Sequence, residues 1–422
     1  MKKIQKTLVV AFALFSLFFG AGNLVLPPHL GFNSGNLWWL VTIGFCISAV
    51  LIPILGIMAH AKLQGTIFDF GKKVSPTFSI VYSLIVYAIS ISLPSPRTAS
   101  VTHEIAIQPF FNSSSLLTSI IYFSLVFLFV MNRSKILDIL GKILTPAIIG
   151  ILFLIIGITL FSDHPILENG TLKNPFTASI LEGYQTFDAI GAIVVGGVLI
   201  VSLNLKNISS YDEKKKLIQN AGILAGLGLF FIYAGLIVTG ALAQNNFDIT
   251  ISRTALLNGI SIVTLGNNGN LFLSILVSLA CFTTAVGIVA GTSDFIKYRF
   301  QDSQKAYTVT AVIGALLGVL MGQFDVSYII AVALPALMFI YPISIVLILL
   351  NVIPEKYASP TVFKIVVVVC IVFSIPDFIG SISSLSIKAG IFDWIPLNEY
   401  GMGWVLPCLG AFVVANFMKK SK

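Results

Sequence analysis

Charged residues are scarce in this 422-residue chain: Asp, Glu, Lys and Arg make up 10% of it, whereas 57% is hydrophobic and the mean hydropathy is +0.98. Soluble domains are about one quarter charged, so the composition excludes that class. A hydrocarbon core about 30 Å thick requires roughly 20 apolar residues per helical span. Runs of this kind cover most of the sequence, and segments such as 345–350 are apolar on every face, unlike the alternating strands of outer-membrane barrels. The sequence predicts an all-α integral membrane protein.

Motifs that carry reaction chemistry are also lacking. The sequence has no nucleotide-binding P-loop, no GxSxG, no redox CxxC and no His/Cys/Asp/Glu cluster with metal-ligand spacing. Its four cysteines lie far apart in apolar stretches and are interpreted as small packing residues: Cys46, Cys281, Cys370 and Cys408. The sequence therefore predicts neither an enzyme nor an organic cofactor. Any transport across the membrane would be driven by an ion gradient or by the gradient of the solute itself.

Basic residues are confined to short polar breaks, although the net charge is +8. All but four of the 25 Lys and Arg fall in alternate breaks, which the positive-inside rule identifies as cytoplasmic. The clusters are Lys2/Lys3/Lys6, Lys62/Lys72/Lys73, Arg133/Lys135/Lys142, Lys206/Lys214/Lys215/Lys216, Lys297/Arg299/Lys305, Lys356/Lys364 and Lys419/Lys420/Lys422; the exceptions are Arg97, Lys173, Arg253 and Lys388. This pattern predicts cytoplasmic termini and an even number of spans in a lipid bilayer. It argues against a nucleic-acid partner.

Twelve spans fit the apolar runs and leave no room for a separate soluble domain. The predicted spans are 7–30, 37–60, 77–107, 116–131, 136–161, 183–204, 217–243, 270–295, 306–322, 327–351, 361–380 and 402–418. Segments 244–269 and 376–400 are predicted to contain short surface helices. The basic start and apolar run before Gly20 could also form a signal peptide, but the same segment carries the strongest motif of the chain.

Spans one and six share an interruption. Span one contains Gly20-Ala21-Gly22-Asn23 followed by Pro27-Pro28, and span six contains Asp188 and Gly191 followed by Gly196-Gly197. Glycine costs about 1 kcal/mol and proline about 3 kcal/mol in a helix interior. Interrupted helices in corresponding positions of two halves indicate a transporter binding site; the alternative is that these small residues only allow close helix packing. The halves would be residues 7–161 and 183–351, in opposite orientation, with spans eleven and twelve (361–418) added.

A broken helix leaves free N–H groups on one half and free C=O groups on the other, which suits an amino-acid zwitterion and a cation. The residues predicted to bind substrate on this basis are Gly20, Ala21, Gly22, Asn23, Asp188 and Gly191. In span eight, Thr283 and Thr284 follow Ala280 by one turn and could join carbonyl oxygens around a monovalent ion. The alternative is that each threonine bonds back to its own helix.

Ionisable residues within spans are functional candidates. Arg97 and Glu104 in span three are seven residues apart, about two turns, and are expected on one face. With Pro27 and Pro28 they are candidates for structural or gating roles. The alternative to direct contact of Arg97, Glu104 and Asp188 with a ligand is that these charges pair with one another to hold the helices together.

Four stretches together resemble the bacterial branched-chain amino acid:cation symporters over nearly the whole chain. They are Phe12–Phe15 with Phe19–Asn23 and Pro27-Pro28, Pro96–Ala99 with Glu104, Tyr184 with Asp188–Ala192, and Ala280-Cys281 with Thr284–Gly287. The resemblance implies a LeuT-type inverted-repeat fold in the bacterial inner membrane, Leu, Ile or Val as substrate, and sodium or proton as coupling ion. It implies alternating access by rocking of one helix bundle.

The resemblance also assigns residues. A sodium ion would contact Ser16, Phe19, Ala280, Thr283 and Thr284, and Tyr87 would reach the substrate carboxylate. Three alternatives remain open: a symporter of this fold for another neutral amino acid or small solute, a channel, or a membrane-embedded enzyme. The sequence makes no prediction of the oligomeric state.

Overall fold

The computed structural model describes residues 3–132, 145–162, 167–205, 210–382, 392 and 394–420. Arg133, Lys135, Lys142, Lys206 and Lys388, and the predicted start of span five at 136–144, lie outside these ranges. Within them the chain is helical, with no strand beyond a single bridge between Gly35 and Asn169. The predicted all-α architecture is confirmed.

The described helices are consistent with twelve spans. Seven are long and apolar enough to cross a membrane: Trp38–Leu63, Pro76–Ile107, Tyr211–Leu242, Arg253–Arg299, Gln304–Gly322, Val326–Val352 and Pro360–Gly380. Three apolar helices are shorter: Ser115–Met131, Thr145–Phe161 and Val405–Lys420. Two spans are broken. Span one consists of half-helix 1a (Lys3–Phe18) and half-helix 1b (Ala21–Ser34), with a bend of 71° between them. Span six consists of half-helix 6a (Pro175–Tyr184) and half-helix 6b (Asp188–Leu205).

Smaller elements adjust these spans. Span two includes a π turn at Ile47–Leu51, and span three includes one at His103–Ile107 after a bend at Leu93. A short helix, Ile67–Gly71, follows span two, and a 3₁₀ turn, Asn398–Tyr400, precedes span twelve. The helix Arg253–Arg299 is divided at Gly266, where φ is +70°. Its first part provides the surface helix predicted within 244–269.

Six of the described helix starts follow from local sequence. A side-chain oxygen at the residue before the helix accepts a backbone N–H of the first turn, which satisfies a donor that the helix cannot. The residues that do this are Ser75, Ser114, Ser252, Ser303, Asp325 and Ser359. Pro76 and Pro360 follow directly, at a position where proline's missing N–H costs little. Short polar linkers therefore set where the apolar runs become helix.

Span six differs from its prediction. It begins with half-helix 6a at Pro175, so the predicted start at 183 is too late. The break consists of residues 185–187, and Phe187 has φ of +63°. Gly196 and Gly197, which were expected to interrupt the helix, lie inside the continuous half-helix 6b. They pack against the segment around His60 and Gly65 instead, where a larger side chain would not fit beside Gly196.

Half-helix 1b packs against span seven with backbone in direct contact. A Cβ added at Gly31 would lie 1.8 Å from the carbonyl oxygen of Ile237, and one added at Gly240 would lie 1.8 Å from that of Pro28. Small residues permit this close approach of membrane helices. The contact holds half-helix 1b against the C-terminal end of span seven.

Gly31→Ala is expected to destabilise the protein by about 1–3 kcal/mol or more, because an inserted methyl group must push two backbones apart. The measurement is the thermal unfolding temperature of the purified protein in detergent. Gly410→Ala is the control, since no described atom lies within 4 Å of its added Cβ. Alanine is the better helix former, so the control should be neutral or stabilising. Equal unfolding temperatures for the two variants would contradict the packing argument.

Candidate functional site

The break of span one is organised by Gly20 and Asn23. Gly20 is extended (φ −113°, ψ −166°) and precedes half-helix 1b, and its N–H donates to Asn23 Oδ1 at 3.3 Å. Pro27 and Pro28 lie within half-helix 1b and carry no N–H, so the carbonyl oxygens of Asn23 and Leu24 lose their usual helical partners. The polar groups freed here are those that a ligand in the break would need.

A buried polar network joins the two broken spans to span seven. Asn23 Nδ2 donates to Asp188 Oδ2 at 2.6 Å and also contacts the hydroxyl of Tyr233. The Tyr233 hydroxyl donates to Asp188 Oδ2 at 3.4 Å. Asn23, Asp188 and Tyr233 are 1%, 3% and 0% exposed. Asn23 and Asp188, each predicted to bind substrate, are therefore in direct contact, and Asp188 lies at the start of half-helix 6b, beside the break.

The break of span six is held by neighbouring hydroxyl groups. The Thr186 hydroxyl accepts the Asp188 N–H at 3.2 Å and donates to the Gly183 carbonyl at 2.8 Å. The Tyr341 hydroxyl accepts the Ala189 N–H at 3.1 Å, and its ring stacks on Tyr184 with centroids 4.2 Å apart. These contacts fix the direction of the first peptide groups of half-helix 6b.

Arg97 lies directly against both breaks. Its Nη1 donates to the Gln185 carbonyl at 2.7 Å, and its guanidinium carbon is 5.3 Å from the centroid of the Phe187 ring. A Cβ added at Gly22 would lie 2.6 Å from Arg97 Nη2, so glycine is needed for the guanidinium to approach half-helix 1b. Arg97 is 3% exposed, and its Nε has no hydrogen-bond partner among the described residues.

Arg97 and Glu104, expected on one face of span three, have different partners in the described part of the chain. Glu104 Oε1 accepts the Val326 N–H at 2.8 Å, and the other oxygen accepts from the Thr254 hydroxyl. Glu104 lies in the π turn of span three, where a regular two-turn spacing no longer applies. The alternative considered for these residues was that their charges pair with one another; no described Arg97 nitrogen lies within 4.0 Å of a carboxylate oxygen of Glu104 or Asp188.

The two span-eight hydroxyl groups adopt the alternative arrangement foreseen for them. Thr283 and Thr284 both donate to the Ala280 carbonyl, at 2.8 and 3.0 Å. Each hydroxyl oxygen keeps lone pairs that a cation could use. A Cβ added at Gly20 would be 3.4 Å from Thr284 Oγ1, so the break of span one lies beside this pair. Ser16 lies in the last turn of half-helix 1a, and Phe19 directly follows this half-helix. The ion assignment stays a prediction.

Two other predicted residues lie at different distances from the breaks. Tyr87 stacks on Phe295 with ring centroids 4.5 Å apart, and no described contact joins it to half-helix 1b. Gly191 is in the first turn of half-helix 6b, where its N–H donates to the Phe187 carbonyl at 2.7 Å. A Cβ added at Gly191 would meet no described atom within 4 Å. The position beside Gly191 is thus unfilled, whereas the role of Tyr87 stays a prediction.

Sequence reasoning missed four contributors: Tyr233, Gln185, Thr186 and Tyr341. A polar residue within an apolar run was the only signal available for Tyr233 and Tyr341, and tyrosine is also common at membrane interfaces. Gln185 acts through its backbone carbonyl, which carries no side-chain signature. An ion pair between Glu182 and Arg253 (Oε1 to Nη2, 2.9 Å) was missed as well. It ties half-helix 6a to the surface helix before span eight.

Two broken helices around a buried polar centre define a multi-pass membrane transporter of the LeuT type, and solved structures support this fold. Mhp1 in its inward-facing conformation gives a TM-score of 0.62 at 11% identity, covering 98% of this chain and 91% of Mhp1. A Na⁺-coupled sialic acid symporter gives 0.62 at 13%, covering 98% and 89%. MhsT in complex with L-phenylalanine gives 0.57 at 16%, covering 97% of both chains.

Sequence comparisons identify the family. The family model for branched-chain amino acid transport proteins matches residues 3–422. The branched-chain amino acid transport system 2 carrier protein of Pseudomonas aeruginosa is 30% identical over 418 residues, which cover 97% of this chain and 94% of that one. The branched-chain amino acid permease BraB of Bacillus subtilis is 31% identical over 438 residues, 99% and 97% of the two chains. The chain belongs to the branched-chain amino acid transport protein family, a family of transporters rather than enzymes.

Proposed function

We propose that this protein is a secondary active symporter that imports leucine, isoleucine and valine with sodium by alternating access. The observation that carries the proposal is the pair of broken spans whose freed backbone groups surround Asn23 and Asp188. The names of the relatives, which are branched-chain amino acid carriers and permeases, supply the substrate class. A similar fold in a sodium-coupled symporter supports the type of coupling.

Substrate selection would be loose among the branched-chain amino acids. The zwitterion would use free N–H groups of half-helix 1b, and the aliphatic side chain would lie among apolar residues of spans one, three, six and eight. One methylene changes binding by only about 1–3 kcal/mol. Leu, Ile and Val should therefore compete with one another, whereas a symporter for another neutral amino acid would show a different competition pattern.

Sodium would bind between half-helix 1a and span eight. Its ligands would be carbonyl oxygens of Ser16, Phe19 and Ala280 and the hydroxyl oxygens of Thr283 and Thr284. An ion at this position would stabilise the break of span one and so favour substrate binding. The coupling is reciprocal, so substrate must tighten sodium binding by the same factor.

A proton is the second candidate for the coupling ion. Asp188 is a buried carboxyl group beside the break, and such groups serve as proton carriers in transporters. In either case the bilayer is the bacterial inner membrane. We place both termini in the cytoplasm, because the basic clusters fall in alternate polar breaks and both termini belong to that basic set.

The test is uptake of radiolabelled leucine into proteoliposomes, with sodium and proton gradients imposed separately. Accumulation is expected with an inward sodium gradient, and unlabelled Ile and Val should block it. Accumulation with a proton gradient alone would replace sodium by a proton and point to Asp188. Leucine flux that equilibrates but never accumulates would indicate a channel. No leucine entry under either gradient would overturn the substrate assignment.

A further inference from the structure

We propose that Arg97 and Asp188 hold the two ends of the substrate: Arg97 binds the α-carboxylate and Asp188 binds the α-ammonium group. The inference rests on the proposed function and names the chemistry of its binding site. It gives Arg97 a substrate-binding role in place of a gating one. It also gives Arg97 the role that the family resemblance suggested for Tyr87.

Arg97 is a buried cation whose described partners are all neutral. It is 3% exposed, donates through Nη1 to a backbone carbonyl, and lies over the Phe187 ring. Its Nε has no described partner. No described carboxylate oxygen lies within 4.0 Å of an Arg97 nitrogen, and a buried charge without a direct ion pair is costly, which favours binding of an anion. The guanidinium is also planar and suited to a carboxylate.

The carboxylate would lie where a second source of positive potential acts. Arg97 Nη2 would be 2.6 Å from a Cβ at Gly22, so the guanidinium touches the first turn of half-helix 1b. N–H groups of a first helical turn lack partners in the helix and carry the positive end of its dipole. The Gly20 N–H already donates to Asn23 Oδ1. The N–H groups that follow it belong to the first turn of half-helix 1b, where the helix itself offers no acceptor. An anion bound here would face both the turn and Arg97.

Asp188 is the complementary group. It is 3% exposed, and its Oδ2 accepts only from the neutral groups of Asn23 and Tyr233 in the described part of the chain. When a carboxylate ionises among neutral hydrogen-bond partners, it favours a cation such as an ammonium group. Gly191 lies one turn further along the same face of half-helix 6b, next to space that no described atom fills. An aliphatic side chain attached to the same carbon as the ammonium group could extend there.

Arg97 and Asp188 both lie at the pair of breaks without forming a direct ion pair with each other. Arg97 contacts Gly22 and Gln185, whereas Asp188 contacts Asn23, the residue after Gly22. No described Arg97 nitrogen lies within 4.0 Å of the Asp188 carboxylate. An α-amino acid presents a carboxylate and an ammonium group on one carbon, which neutralises both buried charges at once. Neither a free amine nor a free carboxylic acid can do this.

The test compares leucine with two analogues that each lack one end. 4-Methylpentanoate lacks the ammonium group, and 3-methylbutylamine lacks the carboxylate. Binding to the full-length protein in detergent is measured by thermal-shift titration, with labelled leucine displacement where binding permits. The wild-type protein should prefer leucine over both analogues. A charged hydrogen bond is worth about 1.5–3 kcal/mol, so each preference should be about tenfold or more.

Substitution of Arg97 and substitution of Asp188 should each reduce a different one of the two preferences. Arg97→Gln is expected to reduce the preference for leucine over 3-methylbutylamine at least about tenfold and to leave the preference over 4-methylpentanoate. Asp188→Asn is expected to do the reverse. Arg97→Lys keeps the positive charge and should retain both preferences at lower affinity. It provides a readout if Arg97→Gln does not fold.

Matched controls are Arg253→Gln, which breaks the ion pair with Glu182, and Asp325→Asn, at a helix start where asparagine also caps. Both should keep the wild-type preferences. If Arg97→Gln and Asp188→Asn weaken leucine binding but leave both ratios unchanged, the residues are structural and the clamp is wrong. If the wild-type protein binds leucine but does not discriminate against the analogues, the clamp fails while the proposed function stands. If it binds none of the three compounds, both fail.

Discussion

Thr284→Ala is expected to reduce sodium-driven leucine accumulation at least about tenfold. The substitution removes one ligand oxygen from the proposed ion site, and an interaction with a charged group is worth about 1.5–3 kcal/mol, where 1.4 kcal/mol is a factor of ten. Thr284 Oγ1 lies beside Gly20, so the ligand oxygen that is removed lies between the proposed ion site and the break of span one. The measurement is initial uptake into proteoliposomes as a function of sodium concentration. The sodium concentration for half-maximal uptake should rise.

The control for this prediction is Thr292→Ala in the same span. Thr292 donates to the Ile288 carbonyl at 2.8 Å, as Thr284 donates to Ala280 at 3.0 Å, and it lies two turns further along the helix. Both substitutions remove a hydroxyl that bonds back to its own helix, so any shared effect on helix stability cancels. Only Thr284→Ala should alter the sodium dependence. Equal sodium dependence in the two variants would show that the ion binds elsewhere.

The break of span one could be predicted from sequence because its cause is local. Gly20, Gly22 and Pro27-Pro28 each weaken a helix through their own backbone chemistry, whatever surrounds them. The structure places the break at Phe19–Gly20, within the motif that predicted it. The apolar runs also predicted the starts of spans three and eleven, at 77 and 361, within one residue of the observed Pro76 and Pro360.

The break of span six could not be located in the same way because tertiary contacts produce it. Its residues 185–187 contain no glycine, and Thr186 and Tyr341 supply the hydrogen bonds that close it. Gly196-Gly197 gave a stronger local signal but serves close packing. Tyr233 is 210 residues along the chain from its partner Asn23. The Gln185 carbonyl is 88 residues from its partner Arg97. Such pairings leave no periodic pattern in a single sequence.

Arg97 and Glu104, two charges with helical spacing in span three, have separate roles. Regular geometry predicts that Arg97 and Glu104 share a face. In the structure Glu104 instead accepts from the N-terminus of span ten and from Thr254, at one end of the bundle. Arg97 remains at the breaks. One of the two charges therefore ties helices together, and the other lies at the breaks.

Gly22→Ala is expected to reduce leucine uptake at least about tenfold, the loss that corresponds to one disrupted charged interaction. The added methyl group would lie 2.6 Å from Arg97 Nη2 and 3.2 Å from the Gln185 carbonyl oxygen. The guanidinium is the flexible neighbour and must move, which breaks its hydrogen bond to Gln185. Alanine favours a helix by about 1 kcal/mol over glycine, so half-helix 1b itself should not be weakened. The expected result is lost uptake with unfolding temperature preserved.

A double-mutant cycle shows whether this loss acts through Arg97. If the methyl group only displaces the guanidinium, Gly22→Ala combined with Arg97→Gln should transport no worse than Arg97→Gln alone, because contacting residues are not additive. Independent effects that multiply would instead show that Gly22 acts through the backbone of half-helix 1b. Gly228→Ala is the matched control, since its added Cβ would make ordinary contact at 3.4 Å with Phe15. Non-additivity, with the control unaffected, would establish that the glycine exists to bring half-helix 1b against the guanidinium.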